Sequence, residues 1–316
     1  MRTSVASSSK LSVIIPAYNC ASFLPETLRS VFAQTCCTPE IIVIDDGSTD
    51  DTPAVIAPFL DRITYIRQEN KGLPAARNTG IHIATGEFIA LLDADDSWLP
   101  DKLEKQLHLF SNPEVGIVYS DFSVRYADGR FQKSYLVNRP LASEGHILEN
   151  YIQSRFLFPS TMIFRRSCFE EFGVFDEEML ACEDIELFAR ICSRWKVARA
   201  DKPLVVRYEG THNLTSDNRK INQYTILALN KILHKEPGLS SAARKVIRQE
   251  LGRQHWWRGY SAFNEDDMAG ARRNLFASIR CDARHLRSAA FVIAVSLLPS
   301  SALKLLRRWR NTATTA

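Results

Sequence analysis

The chain has 316 residues, of which 45% are hydrophobic and 24% charged, a globular composition that excludes a disordered or low-complexity protein. Its net charge of +4 is uneven: between Arg244 and Arg310 there are 14 Lys/Arg against 5 Asp/Glu, a balance of +9, which leaves −5 for the rest. A mildly acidic body with a basic tail suggests no nucleic-acid partner; the tail is either a solvated helical face or a contact for anionic membrane.

Residues Met1 to Lys10 are polar and Ser-rich, without the apolar core of a signal peptide, and are expected to be a flexible tail. Leu11-Ser12-Val13-Ile14-Ile15 reads as a short buried strand, followed by the loop Pro16-Ala17-Tyr18-Asn19. A helix is predicted from about Phe23 to Gln34, with Leu24, Leu28, Val31 and Phe32 on one face. Ile41 to Ile44 is a second strand, broken by Asp45-Asp46-Gly47-Ser48. Asp50 and Thr52 are placed to cap a helix from about Pro53 to Leu60. Ile63 to Ile66 is a third strand, Gly72 to Ala84 contains a helix, and Phe88 to Leu92 is a fourth strand. Strand and helix alternating at this spacing predict a mostly parallel α/β sheet. Ligands of such sheets bind beyond the carboxyl ends of the strands, so the polar clusters there should share one crevice.

Further on, Gly116 to Asp121, Thr161 to Phe164 and Leu204 to Val206 read as strands, and Cys182 to Ile191 as a helix. From about Ile221 the pattern is helical, and Trp257, Gly259, Tyr260, Ala271, Phe276 and Ala277 resemble a single helical hairpin of tetratricopeptide type. The expected organisation is therefore a tail over 1–10, a catalytic domain over 11–220 and a helical region over 221–316. The apolar segment Ala289 to Leu298 is shorter than the roughly 20 residues of a spanning helix. The Leu- and Arg-containing stretch after it is amphipathic and either packs on the body or lies in a membrane surface. Seven cysteines without zinc-type spacing, Cys36 and Cys37 adjacent among them, read as reduced thiols of a cytoplasmic protein.

The chemistry concentrates in five places. Asp93-Ala94-Asp95-Asp96 puts three carboxylates at the end of an apolar strand, where burial would be costly. Asp93 and Asp95 can share a divalent cation with phosphate oxygens, while Asp96 is placed to cap a helix starting near Trp98. In Asp45-Asp46-Gly47-Ser48, Asp46 can accept a hydrogen bond from a nucleobase. Arg77 and Asn78, near a helix start, can meet phosphate or base. Asp184, in the first turn of a helix, can take a proton from a hydroxyl, or can serve with Glu183 only as a cap. The loop Arg207 to Thr215 can close over a diphosphate, with His212 as metal ligand or phosphate contact, or His212 is structural.

In this order the segments resemble the family-2 type of inverting glycosyltransferases, which have the GT-A fold. The matching residues are Val13 to Asn19, Ile44 to Asp50, Ala75 to Asn78, Gly86 to Asp96, and Phe175-Asp176-Glu177 followed by Glu183-Asp184. The resemblance spans roughly residues 11 to 215. It implies a mostly parallel central sheet with flanking helices, here with a C-terminal helical appendage. It also implies a nucleotide-sugar donor, a UDP-sugar as the family-level prior, and a divalent metal, Mn2+ or Mg2+. Pro16, Tyr18, Asp46, Arg77, Asp93 and Ala94 would line the donor nucleotide. Asp93 and Asp95 would hold the metal, with His212 as a further candidate, and Asp184 would be the catalytic base. The acceptor would be a sugar, lipid-linked or other hydroxyl compound, and the setting surface polysaccharide or glycolipid synthesis, at the inner face of the cell membrane if the tail docks there. A catalytically inactive nucleotide-sugar-binding protein is one alternative. A nucleotide-sugar pyrophosphorylase is another, but it would need a Gly- and Arg-rich loop where Pro16-Ala17-Tyr18-Asn19 stands.

Overall fold

A computed structural model describes residues 11–137, 143–210, 217–282 and 290. His212, the segment 1–10 and all but Ala290 of the apolar and basic tail lie outside the described residues. The chain forms two compact units, Met1–Ser216 and Asp217–Ala316.

The first unit is built on one mixed sheet. Strands β1 (Leu11–Ala17), β2 (Glu40–Asp45), β3 (Thr64–Arg67) and β4 (Phe88–Leu91) run parallel in the order β3-β2-β1-β4. All seven residues of β1 are buried, as expected of a central strand covered on both faces. Past β4 the sheet turns antiparallel through β8 (Ile163–Arg165) to β6 (Val115–Tyr126). It ends with β9 (Lys196–Glu209), parallel to β6, and the two-residue β5 (Ser97–Trp98). A short β7 (Phe131–Gln132) pairs with β6.

Helix α1 (Leu24–Phe32) connects β1 to β2. Pro25 opens its first turn, where no intrahelical N–H is needed, and Leu24, Leu28 and Val31 face the core. Each such side chain contributes about 1.5–3 kcal/mol on full burial. Helix α2 (Thr52–Ile56) is shorter than the predicted Pro53–Leu60 span and passes into a 3-10 turn over Ala57–Phe59. Pro58 is the reason, since it has no N–H for the next α-helical bond. Helix α3 (Leu73–Ile83) lies close to β1: a Cβ on Gly80 would collide with the Ile14 side chain.

Two other expectations are corrected. Trp98 does not begin a helix. It pairs with Val205 in β5, its indole N–H donates to the Ser160 carbonyl at 2.9 Å, and helix α4 starts only at Lys102 (Lys102–Leu107). Strand pairing to β9 outweighs the local helical pattern, and Pro100 delays the helix further. Thr161 closes a 3-10 turn over Pro159–Thr161, so β8 begins at Ile163. Helices α5 (Leu148–Ser154), α6 (Arg166–Phe172) and α7 (Glu183–Cys192) complete this unit.

The second unit contains α8 (Asn218–Lys235), α9 (Ser241–Asn264) and α10 (Met268–Cys281). Asp217, Ser240 and Asp267 cap them, each accepting from backbone N–H groups of the first turn. Helices α9 and α10 pack as a hairpin, with Gly259 and Ala271 buried, while Trp257 and Phe276 point outward. Among the described residues no helix is long and apolar enough to cross a membrane. Cys20, Cys168, Cys182 and Cys192 are buried and form no disulfide, and burial raises the thiol pKa to about 12 at Cys20 and Cys168 and upward at Cys192.

Candidate active site

The loops after β1 and β2 are joined by side chain to backbone bonds. Asn19, held at φ 49°, accepts from the Thr49 N–H at 2.7 Å, and its own N–H donates to Ser48 Oγ at 3.0 Å. Asp50 accepts from the Ala21 N–H at 3.0 Å and from the Thr52 N–H at 3.0 Å. The cap position of α2 is Asp51, which makes no side-chain cap bond, so neither Asp50 nor Thr52 is the cap expected. Thr52 is the first helical residue, and its hydroxyl accepts from the Cys20 N–H at 3.1 Å and joins the two loops. Tyr18 stands beside this junction with 51% exposure, whereas Pro16 is buried within β1 opposite Ile44.

Asp46 is buried and takes three donors: Gln68 Nε2 at 2.7 Å, Lys71 N at 3.0 Å and Gly72 N at 2.8 Å. It therefore fixes the turn that leads into α3. Gly47, at φ 79°, lets this turn approach: a Cβ there would sit 2.9 Å from the Asn70 backbone nitrogen.

Arg77 on α3 is fully buried and forks between two carboxylates, Asp93 Oδ1 at 2.7 Å and Glu183 Oε1 at 2.7 Å. The expected open phosphate or base contact is not how this side chain is placed. Its terminal nitrogens join the end of β4 to the start of α7, because a buried guanidinium needs fixed anionic partners. Asn78 is turned inward in the same way. Its amide donates to the Phe175 carbonyl at 2.9 Å and to Glu177 at 2.9 Å, and it accepts from the Phe175 N–H at 2.9 Å. Together these bonds staple α3 to the segment before α7.

The acidic triplet after β4 separates by environment. Asp93 is partly open, and its N–H donates to Ser160 Oγ at 3.1 Å. Ala94 is buried, its carbonyl held by the Thr27 hydroxyl at 2.7 Å. Asp95 is exposed, and its carboxyl is shifted upward by desolvation and by the neighbouring charge of Asp93. Asp96 is buried near the Arg207 guanidinium, Oδ2 to Nε at 3.6 Å, and accepts from the Tyr208 N–H at 3.3 Å. Burial pushes its pKa to about 8 despite Arg207. Asp96 therefore ties the triplet to β9 and caps no helix.

Helix α7 carries Glu183, Asp184 and Glu186 in its first turn, after Cys182 in a left-handed conformation at φ 58°. Glu183 is committed to Arg77. Asp184 remains half-buried, with Oδ1 accepting its own helix N–H, that of Ile185, at 2.8 Å. Burial and then the charge of Glu183 raise its pKa to about 7, against the opposing pull of Arg77. A carboxylate poised near neutrality at a cleft can act as a general base.

Among the described residues no three His, Cys, Asp or Glu side chains group closely enough to enclose a metal. Asp93 and Asp95 are a hard oxygen pair whose mutual repulsion a divalent cation would offset, and such ions are often held by one or two carboxylates plus substrate phosphates. The pair fits a magnesium- or manganese-type ion completed by its ligand. Ser160 and Thr27 were not singled out from the sequence. Their bonds to Asp93, Trp98 and Ala94 are long-range and leave no periodic or motif signal.

The family model described as Glycosyl transferase family 2 matches residues 12–173. A curated relative, the uncharacterized glycosyltransferase RC0461 of Rickettsia conorii, is 34% identical over 233 residues, covering 73% of this chain and 37% of that protein. The UDP-Glc:alpha-D-GlcNAc-diphosphoundecaprenol beta-1,3-glucosyltransferase WfaP of Escherichia coli is 40% identical over 116 residues, 36% of this chain and 46% of that one. The chain thus spans less than half the length of either relative. Among solved structures, Staphylococcus aureus TarS 1-349 in complex with UDP-GlcNAc superposes with a TM-score of 0.67 at 20% identity, over 87% of this chain and 83% of that one. The mannosyltransferase PcManGT of Pyrobaculum calidifontis, in complex with GDP-Man and Mn2+, does so with 0.60 at 21% identity, over 96% and 83%. At these identities the structures show the shared GT-A fold alone. With a family model covering half its length and the sheet and acidic loops in place, the chain belongs to glycosyl transferase family 2.

Proposed function

We propose that this protein is an inverting glycosyltransferase that moves one sugar from a nucleotide-diphosphate sugar to a hydroxyl acceptor. A UDP-sugar is the first candidate donor, and the setting is surface polysaccharide or glycolipid synthesis. One observation carries this reading: Arg77 bridges Asp93, at the donor end of β4, to the helix start that bears Asp184, 2.7 Å on either side. The bridge ties the carboxylate of Asp93 to Glu183, the neighbour of Asp184, through one buried cation.

In this reading Tyr18, Pro16, Asp46 and Ala94 line the nucleotide, and Asp93 and Asp95 hold a divalent cation together with the diphosphate. When bound, that cation supplies positive charge to the departing diphosphate. Asp184 accepts the proton of the acceptor hydroxyl while its oxygen bonds to the anomeric carbon and the carbon–diphosphate bond breaks. The proton ends on Asp184, whose pKa near 7 suits both the uptake and its later release. WfaP, by its name, uses UDP-Glc and a lipid diphosphate acceptor, and TarS and PcManGT were crystallised with nucleotide sugars; these support a nucleotide-sugar donor and a lipid-linked acceptor here. The +9 balance between Arg244 and Arg310 supports a peripheral contact with anionic membrane at its cytoplasmic face.

Asp184→Asn tests the reading. The expected outcome is loss of at least about a hundredfold in transfer rate, with nucleotide binding by calorimetry unchanged. Near-normal turnover in the variant would remove Asp184 from the role of base.

A further inference from the structure

Ser160 is buried in the 3-10 turn Pro159–Thr161 that leads into β8, outside the motifs that carry the family resemblance. Its hydrogen bonds reach the acidic loop after β4. Its Oγ accepts from the Asp93 N–H at 3.1 Å, and its carbonyl accepts from the Trp98 indole N–H at 2.9 Å. One residue thus holds both ends of the stretch Asp93–Trp98 from 67 and 62 positions away in the chain.

The sheet explains why a side chain is needed there. Antiparallel β4 and β8 pair Phe88 with Arg165 and Ala90 with Ile163, and the same register carried onward sets Asp93 opposite Ser160. By then the β8 side has turned into the 3-10 helix, so no strand remains to receive the Asp93 N–H. The Ser160 hydroxyl takes the place of the missing strand acceptor, as a buried N–H requires. The rest of the loop is pinned in turn. The Ala94 carbonyl accepts from the Thr27 hydroxyl at 2.7 Å, the Asp96 N–H donates to the Asp93 carbonyl at 3.1 Å, and the Trp98 N–H donates to Ser30 Oγ at 3.0 Å. Arg77 fixes the Asp93 carboxylate itself at 2.7 Å.

We propose that Ser160 is a positioning residue for the Asp93–Asp95 pair: by anchoring the chain where it leaves the sheet, it holds the two carboxylates in the arrangement a shared divalent cation needs. This rests on the assignment of that pair to the cation and the donor diphosphate. A magnesium-type ion takes its oxygen ligands at about 2.0–2.1 Å in near-ideal octahedral geometry, so a loop released at Asp93 loses metal affinity.

Ser160→Ala removes the acceptor, and Ser12→Ala is its matched control. Ser12 is a buried serine at the amino end of the parallel strands, and its Oγ likewise accepts a backbone N–H, that of Gly86 at 2.8 Å. Dissociation constants of UDP and of GDP are measured by calorimetry on the full chain, in Mn2+ and in EDTA, beside the melting temperature. For Ser160→Ala the expected result is nucleotide affinity lower by about tenfold in Mn2+ and unchanged in EDTA, with Ser160→Thr, which keeps the hydroxyl, close to wild type. Ser12→Ala should lower the melting temperature and leave both affinities alone. An unchanged affinity of Ser160→Ala in Mn2+ overturns the proposal, and so does an equal loss in Ser12→Ala, since stability alone would then account for it. If Ser160→Ala does not fold, Ser160→Cys, a weaker acceptor of similar size, must show the metal-linked loss or the proposal falls. A wild type that gains no nucleotide affinity from Mn2+ takes the cation away from Asp93 and Asp95, and the proposal with it. A metal-dependent wild type beside an unaffected Ser160→Ala overturns the role of Ser160 alone.

Discussion

Four acidic residues of the site carry similar sequence signals and end in four different states. Asp46 takes three donors from its own chain, Glu183 is paired to Arg77, Asp96 is buried and shifted upward, and Asp184 is left half-buried with a pKa near 7. The last has a thermodynamic consequence. A carboxyl whose folded pKa is raised holds its proton in the native state at pH values where the unfolded chain has released it. Its stabilisation is thus complete below the unfolded value near 4 and is lost as pH rises through about 7. Replacing Asp184 by Asn removes this component. Wild-type melting temperature should fall more steeply between about pH 4 and 7 than that of Asp184→Asn, and parallel curves in thermal melts would show that Asp184 titrates normally.

At the level of elements, the site depends on how closely α3 approaches β1 and the loop after β2. Gly80 is where helix and strand nearly touch, because any Cβ there would overlap Ile14 at the centre of the sheet. Gly80→Ala should destabilise the chain by about 1–3 kcal/mol through overpacking, seen as a lower urea midpoint with an unchanged slope. Since α3 also carries Arg77, the same variant should lose activity at temperatures where it is still folded; wild-type stability would refute the close contact. The strands and most helices were legible in the sequence, because β1, β2 and β4 each carry an apolar run and α1 has a clear apolar face. The misplaced boundaries at Trp98, Thr161 and Pro58 share a cause: local pattern was overruled by strand pairing or by a missing N–H.

For the molecule as a whole, the proposed cation is shared by Asp93 and Asp95 with the diphosphate of the donor, so the fold of the first unit is expected to stand without it. Excess EDTA should therefore abolish sugar transfer while leaving the melting temperature within about 1 °C, because a ligand stabilises only the state that binds it and only in proportion to its occupancy. Full transfer activity in EDTA would remove the metal role from Asp93 and Asp95. A large fall in melting temperature would instead mark a structural ion.

The sequence alone determined the family, the parallel strands ending in carboxylates, and the candidate pair Asp93 and Asp184, because apolar runs, turn residues and acidic clusters are local signals. It could not assign partners. Arg77 and Asn78 looked like ligand contacts and proved to be internal bridges, reaching residues up to 106 positions away. Asp96 looked like a cap and proved to be a buried link to β9. Burial and long-range hydrogen bonding decide whether a polar side chain serves the cleft or the frame around it, and both arise only when distant segments pack together.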